Sequence, residues 1–536
     1  MSTSHRKRQA RKRSNNAQSV TSTASASSLN TLITPLLLTA GLLLVSFVPR
    51  IQANDTLAYS FAGAGLSLGA WQLWLHLKSR KTGAQFSFDV VMRPQHYVQA
   101  AVQLSVFVYW GWFWRPVYDH GWLLLGQVLF AYAFDILLSC TRRHKFILGF
   151  GPFPIIFSTN LFLWFRDDWF YLQFLMIAVG FLGKEFVHWE RYGKRVHIFN
   201  PSAFSLGLFS LALIASGTTS LTWGEDIATT LTLAPYIYLF LFLIGLVVMY
   251  FFSITLIAGS AALVLFSLSA LYSASTGVPY FIDSEIPTAV FLGLHLLVTD
   301  PSTSPRSPLG KTLFGVIYGL TVFLLYTALG AFGIPTFYDK LLSVPLLNLC
   351  VRWIDRVIAK ITSRNTFGLL AERLTRPTAN LAHMSLWIVF FATMTIAGAT
   401  DGQHRGDTVP FWEQACHENR PQACERLLQI ESSYCGDASA WACNELGRHY
   451  SDGISVSTDL ELALTYFSRA CELRFQAACL NVVNPNQSKR ANPKPLDLRL
   501  LLREGGSNLM SMPENDLYVR ACRHNWTFAC NRGRPQ

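Results

Sequence analysis

Thr299-Asp300-Pro301-Ser302-Thr303-Ser304-Pro305-Arg306-Ser307-Pro308 is a polar, proline-punctuated stretch set between two apolar runs. The run before it, Ala289 to Val298, is short for a bilayer crossing, which takes about 20 residues. The run after it, Thr312 to Leu329, is long enough. Lipid cannot satisfy irregular backbone, which is tolerated only where protein buries it or where it lines a cavity. The stretch therefore predicts a helical membrane protein with a binding site at this junction.

Composition supports that class. Of 536 residues, 51% are hydrophobic and only 14% charged, against about 25% charged in soluble domains. The net charge of +12 does not point to nucleic acid, because its clearest cluster (Arg6-Lys7-Arg8, Arg11-Lys12-Arg13) opens a Ser/Thr/Asn-rich tail, residues 1–30. That tail reads as a disordered, cytoplasm-retained segment that orients the first span. Apolar runs predict thirteen crossings, near 32–49, 57–77, 96–114, 121–140, 147–164, 169–187, 201–216, 233–250, 254–273, 287–299, 312–333, 340–355 and 382–399. The tenth and twelfth are short enough to be half-helices, so the working range is about 10–13 spans.

Alternate loops carry the cations: Lys78, Arg80 and Lys81; Arg142, Arg143 and Lys145; Arg191, Lys194 and Arg195; Arg306 and Lys311; Lys360, Arg364, Arg373 and Arg376. The loops between them carry Asp167, Asp168, Glu225, Asp226, Asp283 and Glu285. Basic loops mark the cytoplasmic side, which places the N-terminus inside and everything after residue 400 outside. The expected architecture is all-α: the tail, a polytopic transmembrane helical bundle over 31–400, and an extracytoplasmic helical domain over 401–536, in a bacterial inner membrane.

Eight of the ten cysteines lie in that last domain as four pairs with seven residues between them: Cys416 and Cys424, Cys435 and Cys443, Cys471 and Cys479, Cys522 and Cys530. On one continuous helix such a pair would sit about 12 Å apart along the axis, and a disulfide needs Cα atoms within about 7 Å. Either the pairs are unbonded or the chain reverses between them. An even count in an outside segment favours reversal and disulfides. The spacing is poor for zinc, and no metal is expected. With Leu446-Gly447-x-x-Tyr450 and Leu462-Ala463-Leu464-x-Tyr466-Phe467, the segment resembles cysteine-rich Sel1-like, tetratricopeptide-type repeats. That resemblance implies disulfide-stapled helical hairpins that dock a protein partner.

His197-Ile198-Phe199-Asn200-Pro201-Ser202 is the second motif of the membrane body. Asn as N-cap with Pro at the first helical position is a strong helix start, and Asp300-Pro301-Ser302 has the same grammar. Such starts offer N–H groups and positive dipole to an anion. His295 is spaced four residues from Thr299, which on one helix puts both on one face. Asp135, Glu185 and His188 are further ionisable candidates within or at the ends of spans, while Trp110, Trp112, Trp114, Trp164 and Trp169 read as interfacial anchors.

Leu292-Gly293-x-x-x-Leu297-Val298-Thr299-Asp300-Pro301-Ser302-Thr303-Ser304, then Gly310-Lys311-x-x-Phe314-Gly315-x-x-x-Gly319-Leu320, resembles the NqrB/RnfD family. These are membrane subunits of sodium-pumping NADH:quinone reductase and of the Rnf electron-transfer complex. Leu346-Leu347-Asn348 with Asp355 is similar to the family's following helix, and His197–Pro201 to its Asn-Pro-Ala helix start. The resemblance covers about residues 80–360. It implies an electron-transfer protein that holds flavin, with other subunits of a complex as partners. It draws the cofactor-binding set from His197, Asn200, Pro201, His295, Thr299, Asp300, Ser302 and Thr303. The family attaches flavin mononucleotide to a threonine in a Ser-Gly-Ala-Thr loop, whereas the nearest string here is Ser216-Gly217-Thr218-Thr219, a common helix ending. The flavin expected is therefore non-covalent, FMN or riboflavin. The alternative is a non-redox transporter or envelope scaffold of the same architecture that has lost the flavin loop. No P-loop, metalloprotease pair, haem-attachment motif or nucleophile elbow is visible, and no enzyme class is assigned.

Overall fold

Each apolar run forms a helix. The computed structural model describes residues 28–487, apart from Tyr192, Ile282, Asp283, Thr299, 363–376, 401–403, Thr408 and 437–439. Most of the tail, residues 1–27, and residues 488–536 lie outside those described.

Thirteen helices of nine residues or more stand, among the described residues, where thirteen apolar runs predict them. They are α1 (Ser28–Val45), α2 (Asp55–Thr82), α3 (Pro94–Phe113), α4 (Gly121–Arg143), α5 (Pro152–Asn160), α6 (Tyr171–Phe186) and α7 (Pro201–Ser216). Then come α8 (Ile237–Phe252), α9 (Thr255–Thr276), α10 (Thr288–Leu296), α11 (Pro308–Ala331), α12 (Asp339–Thr362) and α13 (Pro377–Ile396). Among the described residues, four helical segments are long and apolar enough to cross a membrane: Pro116–Arg143, Thr255–Thr276, Pro308–Ala331 and Ala379–Ile396. A fifth follows if Gly224–Leu233 and Ile237–Phe252, bent by 101°, count as one broken span. That is fewer than the 10–13 expected from sequence, because several of the runs fold as helices too short or too polar to qualify alone.

The all-α expectation needs a small correction. Strands β1 (Ser87–Val90) and β2 (Lys145–Leu148) pair in parallel, and β3 (His188–Arg191) pairs antiparallel with β4 (Lys194–His197). All four lie in the basic loops. The short helices also differ from expectation. The tenth run is short, nine residues, but the twelfth is a full 24-residue helix, and the fifth is the other nine-residue helix.

These two short helices organise the body. All nine residues of α10 are buried, and α5 is buried from Ile155 to Asn160, as is the irregular chain Leu161–Phe165 that continues it. The two meet through Phe162: a Cβ placed on Gly293 of α10 would lie 3.8 Å from the Phe162 ring and 3.4 Å from the Tyr318 hydroxyl. Helices α9 and α11 pack closer still, at Gly315 and Gly319, where added Cβ atoms would lie 2.3 Å from the Ile257 carbonyl and 2.9 Å from that of Ala261.

The C-terminal helices are α14 (Val409–His417), α15 (Ala423–Gly436), α16 (Ala440–Asp452), α17 (Leu460–Glu472) and α18 (Gln476–Val483). Three of the four expected cysteine pairs are bonded. Cys416 joins Cys424, Cys435 joins Cys443 and Cys471 joins Cys479, with Cα atoms 4.5, 4.7 and 4.7 Å apart. Each bond links consecutive helices where the chain reverses, which is the geometry the spacing required. The fourth expected pair, Cys522 with Cys530, lies outside the described residues, so the observed set is three disulfides rather than four. This domain has its own core around Trp412 and Trp441, and Val278 of the preceding helical body enters it. It is fastened to the ends of α9 and α11: Arg420 donates to the Gly277 carbonyl at 2.8 Å, Tyr272 to Gln422 at 3.2 Å, and the Arg426 guanidinium lies over the Tyr326 ring.

Candidate functional site

Strand β4 delivers Asn200 to the start of α7. Its side-chain oxygen accepts from the Ser202 N–H (3.2 Å) and hydroxyl (2.9 Å), while Pro201 fills the position whose N–H needs no partner. The amide's other end reaches across the bundle and donates to the Leu297 carbonyl at 2.9 Å, immediately past the end of α10. Asn348 of α12 closes the ring. Its oxygen accepts the Asn200 N–H at 3.0 Å and its nitrogen donates to the Thr303 carbonyl at 3.2 Å.

Asp300-Pro301-Ser302 does not start a helix as its grammar suggested. Asp300 Oδ1 accepts from the Ser302 N–H (2.9 Å) and hydroxyl (2.6 Å), a turn closed by the aspartate side chain. The helix waits until Pro308, capped by the Ser307 hydroxyl oxygen accepting from Gly310 N–H. His197 Nε2 lies 2.8 Å from Ser302 Oγ and 3.4 Å from Asp300 Oδ2. With the Ser302 hydroxyl already donating to Asp300, the imidazole proton sits on Nε2. Burial alone would raise the Asp300 carboxyl. The His197 and Ser302 hydrogen bonds outweigh it and hold the carboxyl below its ordinary range.

Arg191, the last residue of β3, ties the segment down. It is buried, pairs with Asp355 at 2.7 Å, and donates to the carbonyls of Ser302 (3.3 Å) and Ser304 (2.8 Å). Four carbonyls of the irregular backbone, those of Leu297, Ser302, Thr303 and Ser304, thus receive side-chain donors. This is how non-helical backbone is satisfied inside an apolar body.

A second polar cluster does the same for the chain after α5, and the sequence reading missed it. Asn160 and Gln127 exchange hydrogen bonds at 2.7 and 3.0 Å, His120 Nε2 lies 3.0 Å from Asn160 Oδ1, and Gln173 accepts from the Phe165 N–H at 3.1 Å. The signal was present as carboxamides inside apolar runs at Gln127, Asn160 and Gln173. Trp164 stacks on His120 with centroids 4.0 Å apart. Trp164 and Trp110 are both buried rather than interfacial, whereas Trp112 and Trp169 are exposed.

Other candidates fall elsewhere. Helix α10 ends at Leu296, and Thr299, expected to share a helical face with His295, lies outside the described residues. His295 is fully buried, with Nδ1 on the Phe291 carbonyl at 2.8 Å and its ring filling the space Gly245 leaves. Thr303 is buried and its hydroxyl donates to the Asp300 carbonyl at 3.4 Å. Ser216–Thr219 caps the far end of α7 from Asn200, with Gly217 left-handed at φ 66° and its N–H on the Ile214 carbonyl. Glu185 pairs with Arg143, and His188 lies opposite His197 in the β3–β4 pair. Among the described residues no group of three or more His, Cys, Asp or Glu side chains is placed to hold a metal ion.

No family model, curated protein or solved structure matches this chain.

Proposed function

We propose that this chain is a polytopic inner-membrane electron-transfer protein that holds a flavin non-covalently at the cytoplasmic junction of its bundle. Its disulfide-stapled, Sel1-like outer domain docks a protein partner. The observation that carries the reading is convergence. The two motifs behind the resemblance to NqrB/RnfD subunits, Asn200-Pro201-Ser202 and Asp300-Pro301-Ser302-Thr303, lie about a hundred residues apart, yet they close one hydrogen-bonded ring with Asn348, Arg191 and Asp355. His197 at its edge is the residue best placed to meet a ligand, because Asn200 and Ser302 are already occupied by protein. The apolar exterior supports lipid embedding: Leu37, Leu44, Leu271, Leu324 and Leu386 are each at least 66% exposed. With the bent and short helices counted as crossings, thirteen passages put the first helix start inside and the cysteine domain outside, in line with the charged loops.

The paired broken helices favour a second reading, solute or ion transport without redox chemistry. Discontinuous helices that meet inside a bundle are a recurrent transporter device. Purified protein decides between the two. Flavin released on denaturation, with visible absorption in the folded state and no fluorescent band on a denaturing gel, supports the non-covalent redox reading. Folded protein without flavin sinks it and leaves transport.

A further inference from the structure

We propose that the cytoplasmic end of α12 is a binding site for an anionic phospholipid, whose phosphate is received by Arg352 and Arg356. The inference rests on the membrane embedding proposed above and goes beyond it, to one class of headgroup at one helix. Asn348 marks the level of the junction on α12, because its amide bonds the Asn200 N–H before α7 and the Thr303 carbonyl. The helix continues from there to Thr362, about 21 Å further. One side of this extension packs inward, with Val351, Ile354 and Ile358 buried and Asp355 paired with Arg191.

The other side carries residue types in a definite order. Leu346, Leu349, Trp353, Arg356 and Lys360 follow one another at helical spacing and form one stripe, with Arg352 beside Arg356. Leu346, Leu349 and Trp353 are 51%, 54% and 53% exposed, and the three cations are exposed as well. Aliphatic side chains, then an indole, then cations is the order met on leaving a bilayer through its interface. In water the bared leucines and indole would be costly, and in hydrocarbon the cations would be. The two arginines supply the recognition. Other cations of the basic loops have carboxylate partners: Arg143 has Glu185, Lys145 has Asp89 and Arg191 has Asp355. Among the described residues Arg352 and Arg356 have none. Arg356 Nε donates to the Arg352 carbonyl at 3.3 Å, which leaves both terminal nitrogens of its fork open. The Arg352 guanidinium lies over the Trp189 ring of β3, 5.5 Å from its centroid, and that stacking holds it in place. Two planar forks one turn apart, about 6 Å along the axis, can grip one phosphate from both sides. Lys360, a turn beyond, adds positive potential where a zwitterionic lipid carries its own ammonium group. A net anionic headgroup is therefore favoured.

Delipidated full-length protein in an uncharged detergent, melted with dioctanoyl-phosphatidylglycerol or dioctanoyl-phosphatidylcholine, tests this. At about 50 mM salt the anionic lipid should raise the melting midpoint by about 3 °C and the zwitterionic one by less than about 1 °C. About 500 mM salt should erase the difference. Arg352→Gln/Arg356→Gln should lose the shift at low salt. Arg80→Gln/Lys81→Gln, which removes the same charge from the exposed end of α2, should keep it. If the arginine pair cannot be replaced without unfolding, Arg356→Gln alone should cut the shift by about half or more. Inorganic phosphate at the same concentration should leave the midpoint unchanged, and a shift as large as the lipid's would reassign the site to a free anion. Wild type that does not distinguish the two lipids would overturn the proposal and leave the stripe to an acidic protein partner. An arginine variant that shifts as wild type does, or an α2 variant that loses the shift equally, would overturn it too. The embedding fails separately, since protein stripped from membranes by alkaline carbonate refutes that reading, whereas protein that stays and ignores headgroup charge refutes only the lipid site. Flavin content plays no part in this readout.

Discussion

Gly315→Ala should separate the two helices on which the junction hangs. A Cβ at Gly315 would lie 2.1 Å from the Ser260 hydroxyl and 2.3 Å from the Ile257 carbonyl of α9. A methyl group against a carbonyl oxygen needs more than 3 Å or so, so the helices must part by about 1 Å, and backbone cannot swing aside as a side chain can. The movement also stretches the Ser260 hydroxyl, which donates to the Thr312 carbonyl at 3.1 Å across the same contact. Overpacking of this kind costs about 3 kcal/mol, from which the better helix propensity of alanine returns about 1. The net loss is about 2 kcal/mol. Gly63→Ala is the control, since nothing lies within 4 Å of its added Cβ. It should be neutral or stabilising by up to about 1 kcal/mol. Gly293→Ala, whose nearest neighbour is at 3.4 Å, should fall between them. Thermal unfolding in one detergent, read as the folded fraction surviving on size exclusion, ranks the three. Gly315→Ala as stable as Gly63→Ala would refute the close approach of α9 and α11.

Arg191→Ala should destabilise the body by about 3 kcal/mol, because it leaves the mostly covered Asp355 without its cation. Arg191→Ala/Asp355→Ala should recover part of the loss, and no recovery in the same melts would count against the pair. Maleimide labelling of denatured, unreduced protein should find at most two thiols, Cys140 and Cys350; a third or fourth would show that Cys522 and Cys530 do not pair as their spacing predicts, and more would contradict the three bonds described. The cysteine-rich C-terminal domain should lose stability as pH rises. Glu431, raised from 4.5 to about 7, and His449, raised above 6.5, both bind protons more tightly folded than unfolded, so their stabilisation is present at low pH and drains away upward. The Glu431 shift alone is worth roughly 3 kcal/mol between about pH 4.5 and 7. Glu285 acts in the opposite sense. His404 holds its carboxyl below the ordinary value, so its contribution is lost only as pH falls below about 4.5. A melting midpoint that climbs from pH 5.5 to 8 would reverse the Glu431 argument.

Helix positions were legible because apolar runs are a local property of sequence. All thirteen fall within a few residues of where hydropathy put them. The cysteine spacing revealed the hairpins for a similar reason. An eight-residue step admits a disulfide only if the chain turns, and it does between Cys416 and Cys424, between Cys435 and Cys443, and between Cys471 and Cys479. Span length was less legible. Asn160 ends α5 after nine residues although the apolar run continues through Phe165, and hydropathy does not mark where a buried helix unwinds. The Asp300-Pro301 start misled because an aspartate followed by proline serves a side-chain-closed turn as well as a helix cap, and only the position of Ser307 decides between them. In sequence Arg191 is one topological charge of a basic loop, yet it is buried against Asp355. Nothing local distinguishes an arginine that faces lipid headgroups from one that folds inward.

The two irregular segments explain each other's polar company. Chain that leaves a helix inside an apolar body exposes N–H and C=O groups, each of which must find a donor or acceptor within the protein. After α5 these partners are Gln173, which accepts from the Phe165 N–H at 3.1 Å, and the Trp223 N–H, which donates to the Trp164 carbonyl at 2.8 Å. After α10 they are Asn200, Asn348 and Arg191. A carboxamide suits both places because it donates and accepts without bringing a charge into low dielectric. Most of the residues that looked like a binding set therefore have a prior structural task, and a ligand would have to break bonds to use them. Those bonds hold Asn200 and Ser302 in place and leave His197, at the edge of the ring, as the contact to probe. His197→Gln retains a hydrogen-bonding amide, whereas Asn200→Ala removes the link between α7 and the end of α10. If the junction binds flavin, His197→Gln should lower its occupancy while the melting midpoint stays near wild type, and Asn200→Ala should lower both. Equal flavin occupancy in His197→Gln and wild type would take the imidazole out of the site.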